Sequence, residues 1–182
     1  MDPRNRLLPG WPVYPFTCFY KEPSSIKGKH LGFSAEDWVE MAGHHEAAHA
    51  VVGLRLGYDV KGLTLEITDA GVRGFAYVDL EHKIDSPEAY RAMAVLIAGG
   101  LGHHRVISAV APEEASHDQA AITNILNRCL PGHAPAQRNA RMRATEIAQN
   151  ILDYDWKFVS VLANALIAWR LIERPYLMKI AE

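Results

Sequence analysis

Apolar residues recur at three- and four-residue steps along the segment that follows residue 33. Such spacing places side chains on one face of an α-helix. Ser34 precedes the segment as a typical N-cap, Asp37 stands where a capping box forms, and Gly57 follows as a stop signal. The pattern predicts an amphipathic helix over residues 35–56, whose inward stripe consists of Trp38, Met41, Ala42, His45, Ala48, His49, Val52 and Leu56.

Two runs rich in β-branched and aromatic residues come next, over Val60 to Thr68 and Val72 to Leu80. Asp69-Ala70-Gly71 between them has the composition of a tight turn. Two short strands joined by such a turn form a β-hairpin. The sequence therefore predicts one antiparallel hairpin.

The rest of the chain has helical spacing that is interrupted by Pro and Gly. We predict a mainly α fold with a small antiparallel β-hairpin. The further helices are predicted over 85–101, beginning at Asp85-Ser86-Pro87; from Pro112 to Cys129, ended by Leu130-Pro131-Gly132; over Ala136 to Leu152; over Trp156 to Arg170; and as a short piece after Pro175.

Residues 1–33 are rich in Pro, Gly and aromatic residues and lack helical or alternating spacing. We expect an extended N-terminal arm with little regular structure, followed by one domain over 34–182. Its aromatic side chains need burial, either on the body of this chain or on a neighbouring subunit, which would make the protein a homo-oligomer. They are Trp11, Tyr14, Phe16, Phe19 and Tyr20.

Composition narrows the classes of function. The chain has 182 residues and a formal net charge of −2, which gives no argument for nucleic acid or an anionic membrane as a partner. Cys18 and Cys129 have no zinc or redox spacing. The N-terminus lacks the apolar stretch of a signal peptide, and the longest apolar run, Phe158 to Ile172, is too short to span a bilayer. We therefore expect a cytoplasmic protein.

The predicted first helix carries His45-Glu46-Ala47-Ala48-His49, an H-E-x-x-H motif. Histidines four residues apart share a helix face and can bind one Zn²⁺ together. The carboxylate of Glu46 can then act as general base towards the metal-bound water. The alternative is a pair of core histidines beside a solvent-exposed glutamate. Burial of two imidazoles without a partner is costly, which favours the metal site.

Catalytic zinc usually has three protein ligands and one open position, so a third ligand is expected from elsewhere in the fold. Residue spacing leaves its identity open. His44 is expected at the surface or behind the ligands. The adjacent His103 and His104 cannot both face one metal on a helix, and we expect them at a solvated helix end near Arg105, with a supporting place behind the ligands as the alternative. The candidates are Asp118, His117, His103, His104, Glu113 and Glu114.

The segment from His45 to Leu54, HEAAHAVVGL, resembles the peptidase domain of the FtsH-type proteases, which are zinc peptidases associated with AAA ATPases. A second segment, VLIAGG from Val95 to Gly100, is similar to that family's double-glycine helix, and Asp118 follows eighteen residues after Gly100. The resemblance implies a zinc-peptidase fold with Asp118 as third zinc ligand. It also implies that an extended substrate pairs with the strand edge from Gly74 to Val78.

The sequence departs from this family in two respects. It has Gly102-His103-His104-Arg105 where the family has an Ala-Ala-Glu-Glu run, and it contains no G-x-x-x-x-G-K-[ST] phosphate-binding loop. We therefore predict a stand-alone, ATP-independent zinc endopeptidase that cleaves unfolded or flexible polypeptide. The alternative is a catalytically silent zinc-binding scaffold or regulatory protein that binds a protein partner.

Overall fold

The computed structural model describes residues 16–21, 34–68, 71–80, 89–107 and 116–181. The predicted starts of two helices, at Asp85-Ser86-Pro87 and at Pro112, lie outside these ranges, as do Glu113 and Glu114. The elements are β1 Phe16–Lys21, α1 Ala35–Arg55, β2 Asp59–Thr68, β3 Gly71–Asp79, α2 Ala89–Val106, α3 Ser116–Cys129, α4 Ala134–Trp169, β4 Leu171–Glu173 and α5 Arg174–Ala181.

Helix α1 begins and ends at the predicted signals. The backbone N–H of Asp37 donates to Ser34 Oγ at 3.2 Å, and the backbone N–H of Ser34 donates to Asp37 Oδ2 at 2.7 Å. These two bonds form the capping box and satisfy two backbone donors that the first turn leaves open. After the helix, Gly57 has a φ of 75°, a left-handed conformation that favours glycine. The prediction of a helix over 35–56 is confirmed.

The predicted hairpin is the centre of a larger sheet. β2 and β3 pair antiparallel, as predicted, and the strand order is β1-β3-β2-β4. β1 and β4 add one antiparallel strand at each side, and neither strand was predicted. β4 is three residues long and pairs Leu171 with Thr64 and Glu173 with Gly62. The fold is therefore mainly α with a small antiparallel sheet.

Helix α1 lies at the centre of the described fold, where it contacts α2, α4 and the sheet. Every residue from Met41 to Gly53 is buried, whereas the sequence predicted one buried stripe. A helix with partners on several sides is buried all round. The H-E-x-x-H residues are therefore held in the interior of the protein.

Helix α4 runs from Ala134 to Trp169, where two separate helices were predicted. Its backbone leaves helical geometry at Asp155, within the predicted gap. There Arg55, in the last turn of α1, donates two hydrogen bonds to the Asp155 carboxylate, at 2.8 Å from Nε and 2.6 Å from Nη2. This paired, bidentate contact fixes the end of α1 against the kink of α4. None of the helices in the described ranges is both long and apolar enough to cross a membrane.

Candidate metal centre

His45 and His49 lie one turn apart on α1, and their Nε2 atoms are 3.0 Å from each other. Both residues are almost completely shielded from solvent, with exposures of 1% and 0%. Two ring nitrogens that converge at this distance inside a protein present paired lone pairs to one point. This is the arrangement that the four-residue spacing predicted.

Asp118 enters the same point from the first turn of α3. Its Oδ2 is 3.2 Å from His45 Nε2 and 3.3 Å from His49 Nε2. Tetrahedral ligand atoms bound at about 2.0–2.1 Å are about 3.3–3.4 Å apart, so the three observed separations are close to those of a metal ligand set. The buried group of His45, His49 and Asp118 could therefore hold a metal ion.

Gly99 of α2 lies directly against the converging nitrogens. A Cβ atom at this position would be 2.3 Å from His49 Nε2 and 2.5 Å from His45 Nε2. Any side chain at residue 99 would thus fill the space in front of both donors. Gly100 differs, because a Cβ there would meet nothing within 4 Å. Of the two glycines that the sequence singled out, only the first faces the site.

Gly102, one turn further along α2, brings the two helices together. A Cβ at this position would be 2.5 Å from Ala48 Cβ and 2.8 Å from the carbonyl oxygen of His44. Gly99 and Gly102 therefore form a side-chain-free face that lets α2 approach α1 closely. The role of Gly102 was not predicted, although the three-residue spacing of the two glycines was a readable signal.

A hydrogen bond from α2 orients one of the predicted ligands. His49 Nδ1 is 2.7 Å from the carbonyl oxygen of Val95, which can only accept, so Nδ1 carries the proton and donates. The opposite nitrogen, Nε2, is the atom that points to His45 and Asp118. Metal-binding histidines are commonly held in this way, with the second ring nitrogen bonded to a carbonyl or carboxylate.

The charges of His49 and Asp118 stabilise each other. Burial on its own would lower the pKa of His49, but the neighbouring Asp118 carboxylate outweighs this effect and raises the pKa of His49 to about 9. Burial would raise the pKa of Asp118, but the His49 and His45 rings lower that pKa well below its usual range. A metal ion bound at His49 Nε2 would have to replace a proton there.

Glu46 is 0% exposed, which excludes the alternative of a solvated helix glutamate. Its negative charge contributes to the raised pKa of His49. The same charge contributes to the raised pKa of Tyr77 on β3, although burial of Tyr77 is the largest cause of that shift. The carboxylate is therefore close enough to both His49 and Tyr77 to affect their pKa values.

Four further histidines were considered in the sequence, and the solvent exposure expected for His44 and His103 needs correction. His44 is buried, with its ring stacked on Trp156 of α4 at 5.7 Å, because α4 covers the side of α1 that the sequence assigned to the surface. His103 was expected at a solvated helix end, but it is buried and stacked at 6.2 Å on the ring of His45. His104 and His117 are exposed and lie outside the cluster.

No protein-family model and no curated protein matches the chain. The resemblance to zinc peptidases therefore rests on the two sequence motifs alone.

Proposed function

We propose that this chain is a zinc-dependent endopeptidase that hydrolyses peptide bonds in unfolded or flexible polypeptide without a nucleotide. The observation that carries the proposal is the buried convergence of three donor atoms, 3.0–3.3 Å apart, two from α1 and one from α3, together with the burial of Glu46 on α1. Two imidazoles and one carboxylate are a donor set typical of catalytic zinc.

His45 and His49 would hold the ion through Nε2, and Asp118 would hold it through Oδ2. A bound zinc ion supplies Lewis acidity, polarising a peptide carbonyl and lowering the pKa of a water molecule to about 7. The bond between His49 Nδ1 and the Val95 carbonyl keeps the ring in the orientation and tautomer that ligation needs. Gly99 keeps the space in front of the nitrogens open.

Glu46 is the group we assign as general base. Its carboxylate oxygens would take a proton from the attacking water and later pass it to the leaving amine. Because the Glu46 side chain is completely buried, its carboxylate is kept away from bulk solvent, which would otherwise compete for the proton. The motif places Glu46 next to His45 in the chain, so base and metal ligand belong to one rigid helix.

The sheet offers a way to hold a substrate. β3 follows the hairpin turn and contacts α1, the helix that carries Glu46. An extended peptide that pairs with a strand edge is bound by main-chain hydrogen bonds, which suits substrates of varied sequence. Folded domains conceal such extended segments, so unfolded proteins, loops and termini would be cut in preference to stable domains.

A catalytically silent zinc-binding scaffold is the competing function. A scaffold needs the three ligands, but a general base beside them adds nothing to a metal site that is only structural. The burial of Glu46 next to the ligands therefore favours the peptidase.

Casein digestion by the purified chain would decide between the two functions. The experiment compares zinc-loaded protein, the same protein treated with a chelator, and the Glu46→Gln variant, each with and without ATP. A peptidase cleaves casein only in the first state and at the same rate with ATP. A scaffold retains zinc and cleaves in none of them.

A further inference from the structure

The edge of β3 that does not pair with β2 is occupied by β1, a segment of the same chain. β1 runs antiparallel along it over six residues, in a register that pairs Phe16 with Ala76 and Lys21 with Gly71. β2 fills the opposite edge of β3. β1 is the outermost strand on this side of the sheet and has β3 as its only strand partner within the described residues.

β1 also contacts the two helices that carry the candidate metal ligands. It contacts α1, which carries His45, Glu46 and His49, and it contacts α3, which carries Asp118. The strand that covers the edge of β3 is therefore in touch with both helices that supply the donor atoms. A peptide in the place of β1 would have the same neighbours.

We propose that β1 is an exchangeable occupant of a peptide-binding edge on β3, and that it must leave this edge before an extended polypeptide can pair there. The proposal rests on the proposed function, because it identifies that edge as the substrate site. The ligand is an extended segment of polypeptide, recognised through its backbone. β1 would thus restrict access to the site as an internal competitor.

The position of β1 in the fold suits exchange. As an edge strand, β1 has strand hydrogen bonds along one edge only, so a local opening that breaks a single ladder can separate it from β3. Since β1 belongs to the same chain as β3, it competes for the edge intramolecularly, at an effective concentration above that of a dilute substrate. A substrate would therefore bind more weakly while β1 can return to the edge.

The register of β1 allows it to be locked in place. Cys18 pairs with Gly74, and paired residues of antiparallel strands have Cα atoms about 4.5–5.5 Å apart, within the range that a disulfide spans. Gly74→Cys in the full-length chain should therefore crosslink to the natural Cys18 on oxidation. Gly74→Cys combined with Cys18→Ser is the matched control, which cannot form this bond.

Binding is measured in zinc-loaded protein that also carries Glu46→Gln, so that the probe is not cut. The probe is a fluorescent synthetic peptide with the sequence of residues 14–23. We expect the oxidised Gly74→Cys protein to bind it at least about tenfold more weakly than the same protein after reduction. The control should bind equally with and without reductant. Equal binding by the locked and reduced forms, or failure of the crosslink to form, would overturn the proposal.

A second pair of variants shifts binding in the opposite direction and does not depend on residue 74. Successive N–H groups of an antiparallel strand point alternately towards and away from a given partner. Thr17→Pro with Cys18→Pro therefore removes at least one donor that faces β3, whereas Thr17→Ala with Cys18→Ala keeps both. The proline pair should bind the probe at least about tenfold more tightly than the alanine pair, and equal affinities would contradict exchange.

Casein digestion with intact Glu46 separates this proposal from the proposed function. If both hold, the proline pair cleaves faster than the alanine pair, and the locked protein cleaves more slowly than its reduced form. If probe binding responds as expected but no variant cleaves casein, the exchangeable edge stands and the peptidase does not. If casein is cleaved at rates that neither the lock nor the proline pair changes, the peptidase stands and β1 is a permanent strand.

Discussion

The two sides of the candidate site are held together by different kinds of contact. On the helical side, α1, α2 and α3 meet so closely that a single methyl group at Gly99 would come within 2.5 Å of two ring nitrogens. On the sheet side, β3 presents its backbone, and the partner at its edge is a six-residue strand. The helical contacts depend on particular side chains, whereas strand pairing accepts almost any sequence.

We therefore expect the helical side to determine metal binding and catalysis, and the sheet side to determine how a polypeptide reaches the metal. Substitutions of the residues that face the cluster on the helical side should abolish metal binding or catalysis, because the three donor atoms and the Cα of Gly99 lie too close together to admit another side chain. Changes on the sheet side should alter how well a polypeptide reaches the site while the metal stays bound. The following predictions use single residues of the helical side, and those at Gly99 and Asp118 have a neighbour in the chain as control.

Gly99→Ala should have the largest effect. Its methyl group would fill the space between the Nε2 atoms of His45 and His49, so stoichiometric zinc and all peptidase activity should be lost. Gly100→Ala is the matched control, since it adds the same methyl group to the same helix in open space. Metal analysis of both purified variants tests this, and zinc retained by Gly99→Ala would show that the ion is bound elsewhere.

Glu46→Gln should separate catalysis from binding. The amide keeps the shape of the side chain but cannot accept a proton, so casein cleavage should fall by on the order of a hundredfold or more. Zinc content and the unfolding transition should stay close to those of the unaltered chain. Cleavage at the original rate would remove Glu46 from the role of general base.

Asp118→Ala should weaken zinc binding by more than the roughly 10–100-fold that is typical of residues that only support ligands. The change removes a donor oxygen and a negative charge that lies 3.2–3.3 Å from both histidines. His117→Ala, at the exposed preceding residue, should have little effect. Competition with a chelator of known affinity measures both variants. The ligand assignment would be wrong if His117→Ala were the more damaging change.

Much of this helical side was predictable because its signals are local. The capping box at Ser34, the four-residue spacing of the histidines and the stop at Gly57 all act within one or two turns of helix. Asp118 was different: 73 residues separate it from His45, and spacing left it among six candidates. Only the family resemblance selected it, and the structure brings it to the two histidines.

The remaining features depend on partners that are distant in the sequence. β1 and β4 are short and depend on pairing with the hairpin, and the strand-favouring aromatic residues of β1 stand within a segment rich in Pro and Gly that predicted little regular structure. His44 is buried because Trp156 of α4 stacks on it, and His103 because α2 continues past the predicted end at Leu101. Tertiary contacts of this kind outweigh local preference.

The raised pKa of His49 predicts two smaller effects of pH, which have opposite signs: zinc affinity rises with pH, and the stability of the zinc-free protein falls. A proton must leave His49 when zinc binds, so apparent zinc affinity should rise about tenfold per pH unit below the pKa of about 9. In protein stripped of zinc, the raised pKa gives stability that is fully present below the ordinary histidine pKa of 6.5 and is lost as pH rises through about 9. Titrations with a zinc buffer and with denaturant at several pH values measure the two trends. Affinity independent of pH would contradict the role of His49.

The central claim, that the helical side holds one zinc ion, is tested most directly by elemental analysis of the purified chain beside two single variants. We expect one zinc per unaltered chain, none in His49→Ala, and one in His104→Ala, which removes an exposed histidine outside the cluster. Full zinc retention by His49→Ala, or its loss from His104→Ala alone, would contradict the assignment.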